Sequence, residues 1–354
     1  MFKITFSTAV KYKENYYLVG QNVSGLFMFS EKKKKIEYLF PFLGEKQYRF
    51  QYNLSFLHKN KAWFIPHWAD RIAIVDLDNL SVEYLDLEYH DIFFQTYVKF
   101  INYLIIDNHY VLLVPQDVDI AVMIDLETYE KTVFSGMASI DKNFSSAVCH
   151  DGMISFYPWK GDFLVQLNSK TGEKREYPWK KGNHLYGDTA VDYKTTRIIH
   201  APFMGKGILI ENEVDSTYKM VAVEGDCDNS FYYITRYEGY FLIWGSKRNS
   251  VLRMDMDYQI NEYKIKKSEN EFLFPIRSDD ISDGSEALLF GGNKIIKYKG
   301  DTIVETDIDI SSDYIKGIVE KTGYGMWDLF GGMESHVLCC ENSEFGLDQF
   351  LSAI

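Results

Sequence analysis

Cysteine and long apolar runs are scarce in this sequence of 354 residues, and each shortage excludes a class of protein. The 4 cysteines, at positions 149, 227, 339 and 340, are too few and too unevenly spaced for a disulfide framework or a zinc motif. We therefore expect a reducing, cytoplasmic setting. No stretch approaches the ~18 apolar residues that a membrane-spanning helix needs. Lysines interrupt the first twenty residues where a signal peptide would be apolar, so we expect no membrane insertion.

Positive charge is also in short supply. Lys and Arg total 38 against 51 Asp and Glu, which gives a net charge of −13. The average field of such a protein repels a phosphate backbone, and we expect no nucleic-acid partner. The one basic run, Lys32–Lys35, lies between two apolar runs and is followed by Glu37. This arrangement predicts a solvated hairpin turn.

Aromatic residues are abundant and follow a repeated pattern. Phe, Tyr and Trp make up 16% of the chain, and their rings favour pleated sheets over helices. Residues 60–85 and 110–134 each contain an aromatic or aliphatic strand, a polar loop, an aliphatic strand ending in Asp, a tight turn and a fourth strand. Pro66 matches Pro115 in this comparison, and Asp76 matches Asp125. A repeat of about 45 residues with four strands is typical of a β-propeller blade.

The repeat predicts the fold class: all-β, a seven-bladed β-propeller of four-stranded antiparallel blades. A β-sandwich also has many short strands, but it does not explain the constant register of the repeat. The lack of 3.6-residue periodicity excludes a helical solenoid. The predicted propeller spans 1–310, and its blades cover about 1–40, 41–87, 88–134, 135–179, 180–223, 224–265 and 266–310.

The C-terminal extension, 311–354, departs from the repeat. Its last residues place apolar side chains at helical spacing and predict a helix; they are Phe345, Leu347, Phe350, Leu351 and Ile354. Two interpretations of this helix are open. It packs against the propeller, as amphipathic helices usually do, or it docks onto a partner.

Residues 62–85 resemble blades of the streptogramin-lyase type of seven-bladed propeller. In those blades an aromatic strand is followed by a polar turn, an aliphatic strand ending in Asp and a short Thr-Gly-like turn. Residues 163–177, with the turn Lys170-Thr171-Gly172-Glu173, are similar. The resemblance implies a metal held by acidic and histidine side chains on one late blade, with a further histidine as base. This sequence has no histidine between His200 and His336, so that pattern is not found in its late blades.

One face of the predicted propeller has the residues that suit a ligand. Loops between second and third strands, and loops between blades, gather there around the channel mouth. Aromatic rings in these loops can stack on a sugar or a peptide, and charged groups can make strong hydrogen bonds. The candidate binding residues are His67, Trp68, Asp70, Arg71, Arg49, Gln116, Asp117, Trp159, Lys160 and Trp244.

Two functions fit these residues. The first is a ligand-binding or interaction propeller that recognises a glycan, a peptide or a protein partner at this face, with no cofactor. The alternative is a lyase or hydrolase acting there on a sugar or cyclic peptide, with or without a divalent metal. The candidate ligands for such a metal are His67, His90, His184 and His200, with Asp70 or Asp188.

Overall fold

The structure is a computed structural model, and the elements with described bounds are β-strands. It describes residues 6–20, 25–42, 51–87, 99–116, 118–138, 143–159, 162–179, 185–192, 194–204, 207–212, 217–223, 233–237, 239–245, 250–265, 273–276, 287–291, 294–299, 302–308, 314 and 317. The predicted C-terminal helix lies outside these residues. Within them, no helix has the length and apolar character needed to cross a membrane.

The strands form four-stranded antiparallel sheets, each made of consecutive strands. The first sheet contains β1 (Phe6–Tyr12), β2 (Asn15–Gly20), β3 (Leu26–Ser30) and β4 (Lys35–Phe40). The second contains β5 (Tyr52–His58), β6 (Lys61–Pro66), β7 (Arg71–Asp76) and β8 (Ser81–Asp86). The third contains β9 (Phe100–Ile106), β10 (Tyr110–Pro115), β11 (Ala121–Asp125) and β12 (Lys131–Phe134). The fourth contains β13 (Phe144–His150), β14 (Met153–Pro158), β15 (Phe163–Asn168) and β16 (Lys174–Pro178).

The later sheets follow the same order. The fifth contains β17 (Leu185–Asp192), β18 (Arg197–Met204), β19 (Gly207–Asn212) and β20 (Thr217–Ala222). The sixth contains β21 (Tyr233–Tyr237), β22 (Tyr240–Trp244), β23 (Ser250–Asp255) and β24 (Ile260–Lys264). A last sheet contains β25 (Leu273–Ile276), β26 (Ala287–Gly291), β27 (Lys294–Lys299) and β28 (Thr302–Asp307). The chain is thus a β-propeller with four-stranded antiparallel blades.

Six blades are complete in the described residues, where the repeat predicted seven. In these six sheets the structure describes side chains in all four strands. In the last sheet the pairing of β25 through β28 is described, but side chains only in β27 and β28. Strand β1 contacts β25, so the last sheet lies beside the first.

The core lies between neighbouring sheets, and this position determines the strand sequences. Second strands are buried on both faces by adjacent blades, so they are almost continuously apolar, as in β6 and β10. Trp63 of β6 belongs to one cluster with Leu113 of β10 and Val122 of β11. Fourth strands form the outer perimeter, and all five residues of β16 are exposed.

Residues at equivalent positions of the repeat have the same structural role. Pro66 and Pro115 end second strands and pair with the first residues of β5 and β9, where the register shifts. Proline fits there because a strand end needs no further ladder donor. The Asp76 carboxylate accepts the backbone N–H of Asp78 at 2.9 Å, and the same turn recurs after Asp125. Asp ends the third strands β7, β11 and β23, where its side chain closes the turn that follows.

Turns of adjacent blades are tied together on the face opposite the candidate site. Lys13 of the first sheet donates to Asp78 of the second at 2.8 Å, and Lys59 of the second donates to Glu127 of the third at 2.5 Å. At the ring seam, Lys297 of β27 donates to Glu31 at 2.5 Å. The Lys13 and Lys59 pairs are exposed and each contribute little, whereas the Lys297 and Glu31 side chains are only 14% and 29% exposed.

Candidate functional site

Apart from Trp244, the described candidate residues lie in or directly beside the loops between second and third strands. His67, Trp68 and Asp70 form the loop between β6 and β7, and Arg71 begins β7. Gln116 follows β10, and Trp159 follows β14. Arg49, Asp117 and Lys160 lie outside the described residues. So do His90 and His184 among the predicted metal ligands.

Trp244 is not a loop residue, and the expectation of an exposed ring at this position is wrong. It is the last residue of β22, only 1% exposed, and it stacks on Tyr233 with ring centroids 5.8 Å apart. The run Tyr240–Trp244 is apolar throughout, so the strand continues through the tryptophan and buries it. His200 is likewise inside β18 and has no exposure.

A buried lysine organises the junction of the second and third blades. The Lys99 ammonium donates to the backbone carbonyl of Ala69 at 2.5 Å and to the Asp70 carboxylate at 3.0 Å. Its side chain is 3% exposed, whereas that of Asp70 is 58% exposed. The backbone carbonyl of Lys99 accepts the N–H of Gln116 at 3.0 Å. One residue therefore connects the β6–β7 loop to the β10–β11 loop and leaves a carboxylate facing solvent.

His67 is a neutral imidazole at physiological pH. Burial, together with a smaller contribution from the positive charge of Lys99, lowers its pKa from 6.5 to about 4. Its backbone N–H donates to the carbonyl of Gln51 at 2.8 Å, which fixes the start of the loop. A base with so low a pKa takes up few protons at neutral pH.

The third blade places two buried oxygen acceptors in its β10–β11 loop. Gln116 Oε1 and Asp119 Oδ1 are shielded from solvent, and neither has a hydrogen-bond donor among the described residues. The Asp119 backbone carbonyl accepts the N–H of Met137 at 2.8 Å. A buried acceptor without a donor costs stability, and both oxygens lie beneath the accessible surface of the loop.

An aromatic pair marks the junction of the fourth and fifth blades. Trp159 and Phe203 are half-buried, and their ring centroids are 4.3 Å apart at an interplanar angle of 48°. The backbone N–H of Trp159 donates to the carbonyl of Asn143 at 2.9 Å, so the loop that presents the indole is anchored. Large rings held in place at low entropic cost are suited to contact a peptide or protein.

The aromatic pair is close in the chain to a buried histidine. His200, three residues before Phe203, lies among Tyr157, Trp179 and Tyr186, with the Tyr157 ring centroid at 4.6 Å. Its Nε2 is 3.2 Å from the Glu211 carboxylate. This imidazole packs inside the seam between blades and does not reach the loop surface.

The first strands of the blades carry polar side chains that hydrogen-bond to one another. Asn102 of the third blade donates to Asp188 of the fifth at 2.7 Å, and Thr8 shares a hydrogen bond with Ser55 at 2.6 Å. Asp188 also accepts the backbone N–H of Thr189 at 2.9 Å. Asp188 is 4% exposed and holds the ring together. No group of three or more His, Cys, Asp or Glu side chains that might hold a metal occurs among the described residues.

Sequence reasoning missed Lys99 and did not include Phe203 in the site. A lysine next to a strand usually lies in solvent, so nothing in the local pattern marks Lys99 as buried. Phe203 stands in the blade that follows Trp159, near the end of β18. Comparing equivalent loop positions of adjacent blades would have paired the two rings.

Comparison with protein-family models gives no match, and comparison with curated proteins gives none either. Solved structures do match. A streptogramin B lyase structure has a TM-score of 0.60 and 14% identity, and the match covers 76% of this chain and 88% of that one. YCF48 bound to D1 peptide has a TM-score of 0.58 and 11% identity, over 87% and 94%. The complex of KlAtg21 with the coiled coil of AgAtg16 has a TM-score of 0.57 and 9% identity, over 86% and 100%. At these identities the similarity shows a shared β-propeller fold.

Proposed function

We propose that this protein is a binding propeller that recognises a peptide segment of a protein partner at its loop-rich face, without catalysing a reaction. The observation that carries the proposal is the half-buried pair Trp159 and Phe203, with ring centroids 4.3 Å apart on an anchored loop. The Lys99 and Asp70 pair adds a charged group at the same face. Aromatic anchors beside polar acceptors are typical of the centre of a peptide-binding surface.

Peptides are favoured over glycans by what similar folds bind. Of the similar structures, YCF48 is bound to D1 peptide, and KlAtg21 is in a complex with the coiled coil of AgAtg16. The proposal includes the finer features expected from the repeat: seven blades within residues 1–310, a separate extension at 311–354, and no cofactor. It keeps His67, Trp68, Asp70, Arg71 and Gln116 as further contact residues.

The test is a peptide array probed with the full chain, followed by affinity measurement on the best peptide. Trp159→Ala should weaken binding about thirtyfold, since loss of an aromatic anchor costs about 2 kcal/mol. Tyr177→Ala is the matched control, because Tyr177 is an exposed aromatic residue of the same blade on the outer strand β16. It should leave affinity unchanged. Equal effects of the two variants, or selective binding of sugars in place of peptides, would contradict the proposal.

The alternative, a lyase or hydrolase at the same face, is supported by the fold shared with streptogramin B lyase. The pKa of His67, about 4, favours binding because this imidazole is a weak base at neutral pH. Incubation with a streptogramin B antibiotic, followed by mass spectrometry, separates the two functions. We expect no ring-opened product. Turnover that disappears in His67→Ala, while the fold is retained, would establish the alternative.

A further inference from the structure

A groove lies on the outer perimeter between the third and fourth blades. Its volume is about 390 Å³, within the range of sites that bind small ligands or peptide side chains. One wall is strand β12 and the other is the turn between β15 and β16. The lining residues are Thr132, Val133, Phe134, Ser135, Ser169, Lys170, Thr171, Gly172 and Lys174.

The β12 wall presents backbone N–H and C=O groups that are not hydrogen-bonded to any other described strand. β12 is the last strand of its sheet and pairs only with β11. The N–H of Asp125 donates to the carbonyl of Glu130 at 2.9 Å, so this is a hydrogen-bonded position of the ladder. Hydrogen bonding alternates along an antiparallel pair. Thr132 therefore bonds inward to β11, and the N–H and C=O of Val133 point outward along the groove.

The edge of β12 is less protected than that of the neighbouring outer strand. β16 carries Lys174 and Arg175 and ends in Pro178, all of which discourage pairing with another strand. In β12 the outward residues are Lys131, whose ammonium is held by a backbone carbonyl of the second blade, and Val133, which is 43% exposed. An uncharged, exposed edge position is a template for strand addition.

The opposite wall is a turn fixed by hydrogen bonds, and it carries the exposed ammonium group of Lys170. Asn168 Oδ1 accepts the backbone N–H groups of Lys170 and Thr171, both at 3.0 Å, which fixes the turn. The Lys174 ammonium donates to the carbonyl of Ser135 at 2.6 Å and ties the turn to the end of β12. Lys170 is exposed, and no described residue pairs with its ammonium.

We propose that this groove binds an extended peptide segment carrying a carboxylate, which adds a strand to the edge of β12 and pairs its acidic side chain with Lys170. The backbone of Val133 supplies the ladder hydrogen bonds, and the groove between β12 and the turn admits the side chains of alternate residues. The charge of Lys170 selects an acidic residue, although the chain as a whole is negative. This site is separate from the loop-rich face and does not depend on the proposed function.

The test uses an acetylated, amidated hexapeptide of sequence SVTVES, titrated into the full chain and followed through the NMR signal of the Val133 methyl groups. Two N-methylated forms of the peptide carry methyl groups on alternate amides. Because a strand pairs through every second amide, one form should lose binding and the other should retain it. A peptide with lysine in place of glutamate should bind more weakly than the parent.

Variants of the protein test the two walls separately. Val133→Pro removes the outward N–H and should weaken binding at least tenfold, while Thr132→Pro removes an inward ladder bond and should mainly lower stability. Lys170→Ala, which does not alter the backbone, should weaken binding about twofold to fivefold, as expected for an exposed ion pair. Lys32→Ala, at an exposed lysine of another turn, is its control.

Three results would overturn the proposal. One is the absence of a saturable shift at Val133 at millimolar peptide, and another is equal binding of the two N-methylated forms. The third is a dimer of the chain that Val133→Pro disperses, which would make a second copy the occupant of the edge. Loss of peptide binding here with intact binding at Trp159 would leave the proposed function standing.

Discussion

Acidification should destabilise this propeller through one buried imidazole. The pKa of His67 is lowered from 6.5 to about 4, with burial as the main cause and the charge of Lys99 as the second. As the pH falls below 6.5, the unfolded chain takes up the proton and the folded chain does not. The stabilisation from the neutral ring is therefore complete above pH 6.5 and is lost as the pH falls through 4. A shift of this size corresponds to about 3 kcal/mol.

The measurement is urea unfolding of the wild type and His67→Gln at pH 7 and pH 4. Other groups titrate in both proteins, so the difference between their pH responses isolates His67. We expect the wild type to lose about 3 kcal/mol more than the variant on acidification. Lys99→Met should raise the pKa of His67 while leaving it below 6.5, because burial remains. Identical pH responses of the wild type and His67→Gln would refute the reasoning.

Two further predictions concern stability. Asp188→Ala leaves the side-chain amide of Asn102 without its buried acceptor and should lower the free energy of unfolding by about 2–4 kcal/mol. The control Asp162→Ala, at an exposed carboxylate, should change it by less than about 0.5 kcal/mol. Equal losses measured by urea unfolding would contradict this prediction. In Gly207→Ala the new Cβ would lie 2.8 Å from the backbone carbonyl oxygen of Val221, so we expect the free energy of unfolding to fall by about 1–3 kcal/mol. An unchanged urea midpoint would show that the strand moves to accommodate the methyl group.

The architecture could be predicted because each repeat contains local information. Pro66, Asp76 and their equivalents mark strand ends and turns by their own chemistry, independently of distant residues. The four-stranded antiparallel blades followed from these marks. Strand ends were harder to place, since an apolar run such as Tyr240–Trp244 contains no signal that stops the strand before the tryptophan.

The candidate site was less predictable because its contacts join separate blades. Lys99 is held by Ala69 and Asp70, about thirty residues earlier, and no local pattern encodes that bond. Trp159 was recognised from its place after a proline, but its partner Phe203 belongs to the next blade. Burial of a lysine depends on the packing of several elements, which composition and periodicity do not specify.

The consecutive order of strands in every sheet has a consequence for the history of the chain. Among the described strands no sheet takes a strand from another, so each four-stranded unit keeps its whole hydrogen-bond ladder if it is copied, removed or exchanged. Gene duplication can then enlarge such a ring by one complete unit at a time. The matching Asp76 and Asp125 turns are what copied units would retain, whereas the Lys99 and Trp159 loops make contacts particular to their own blades.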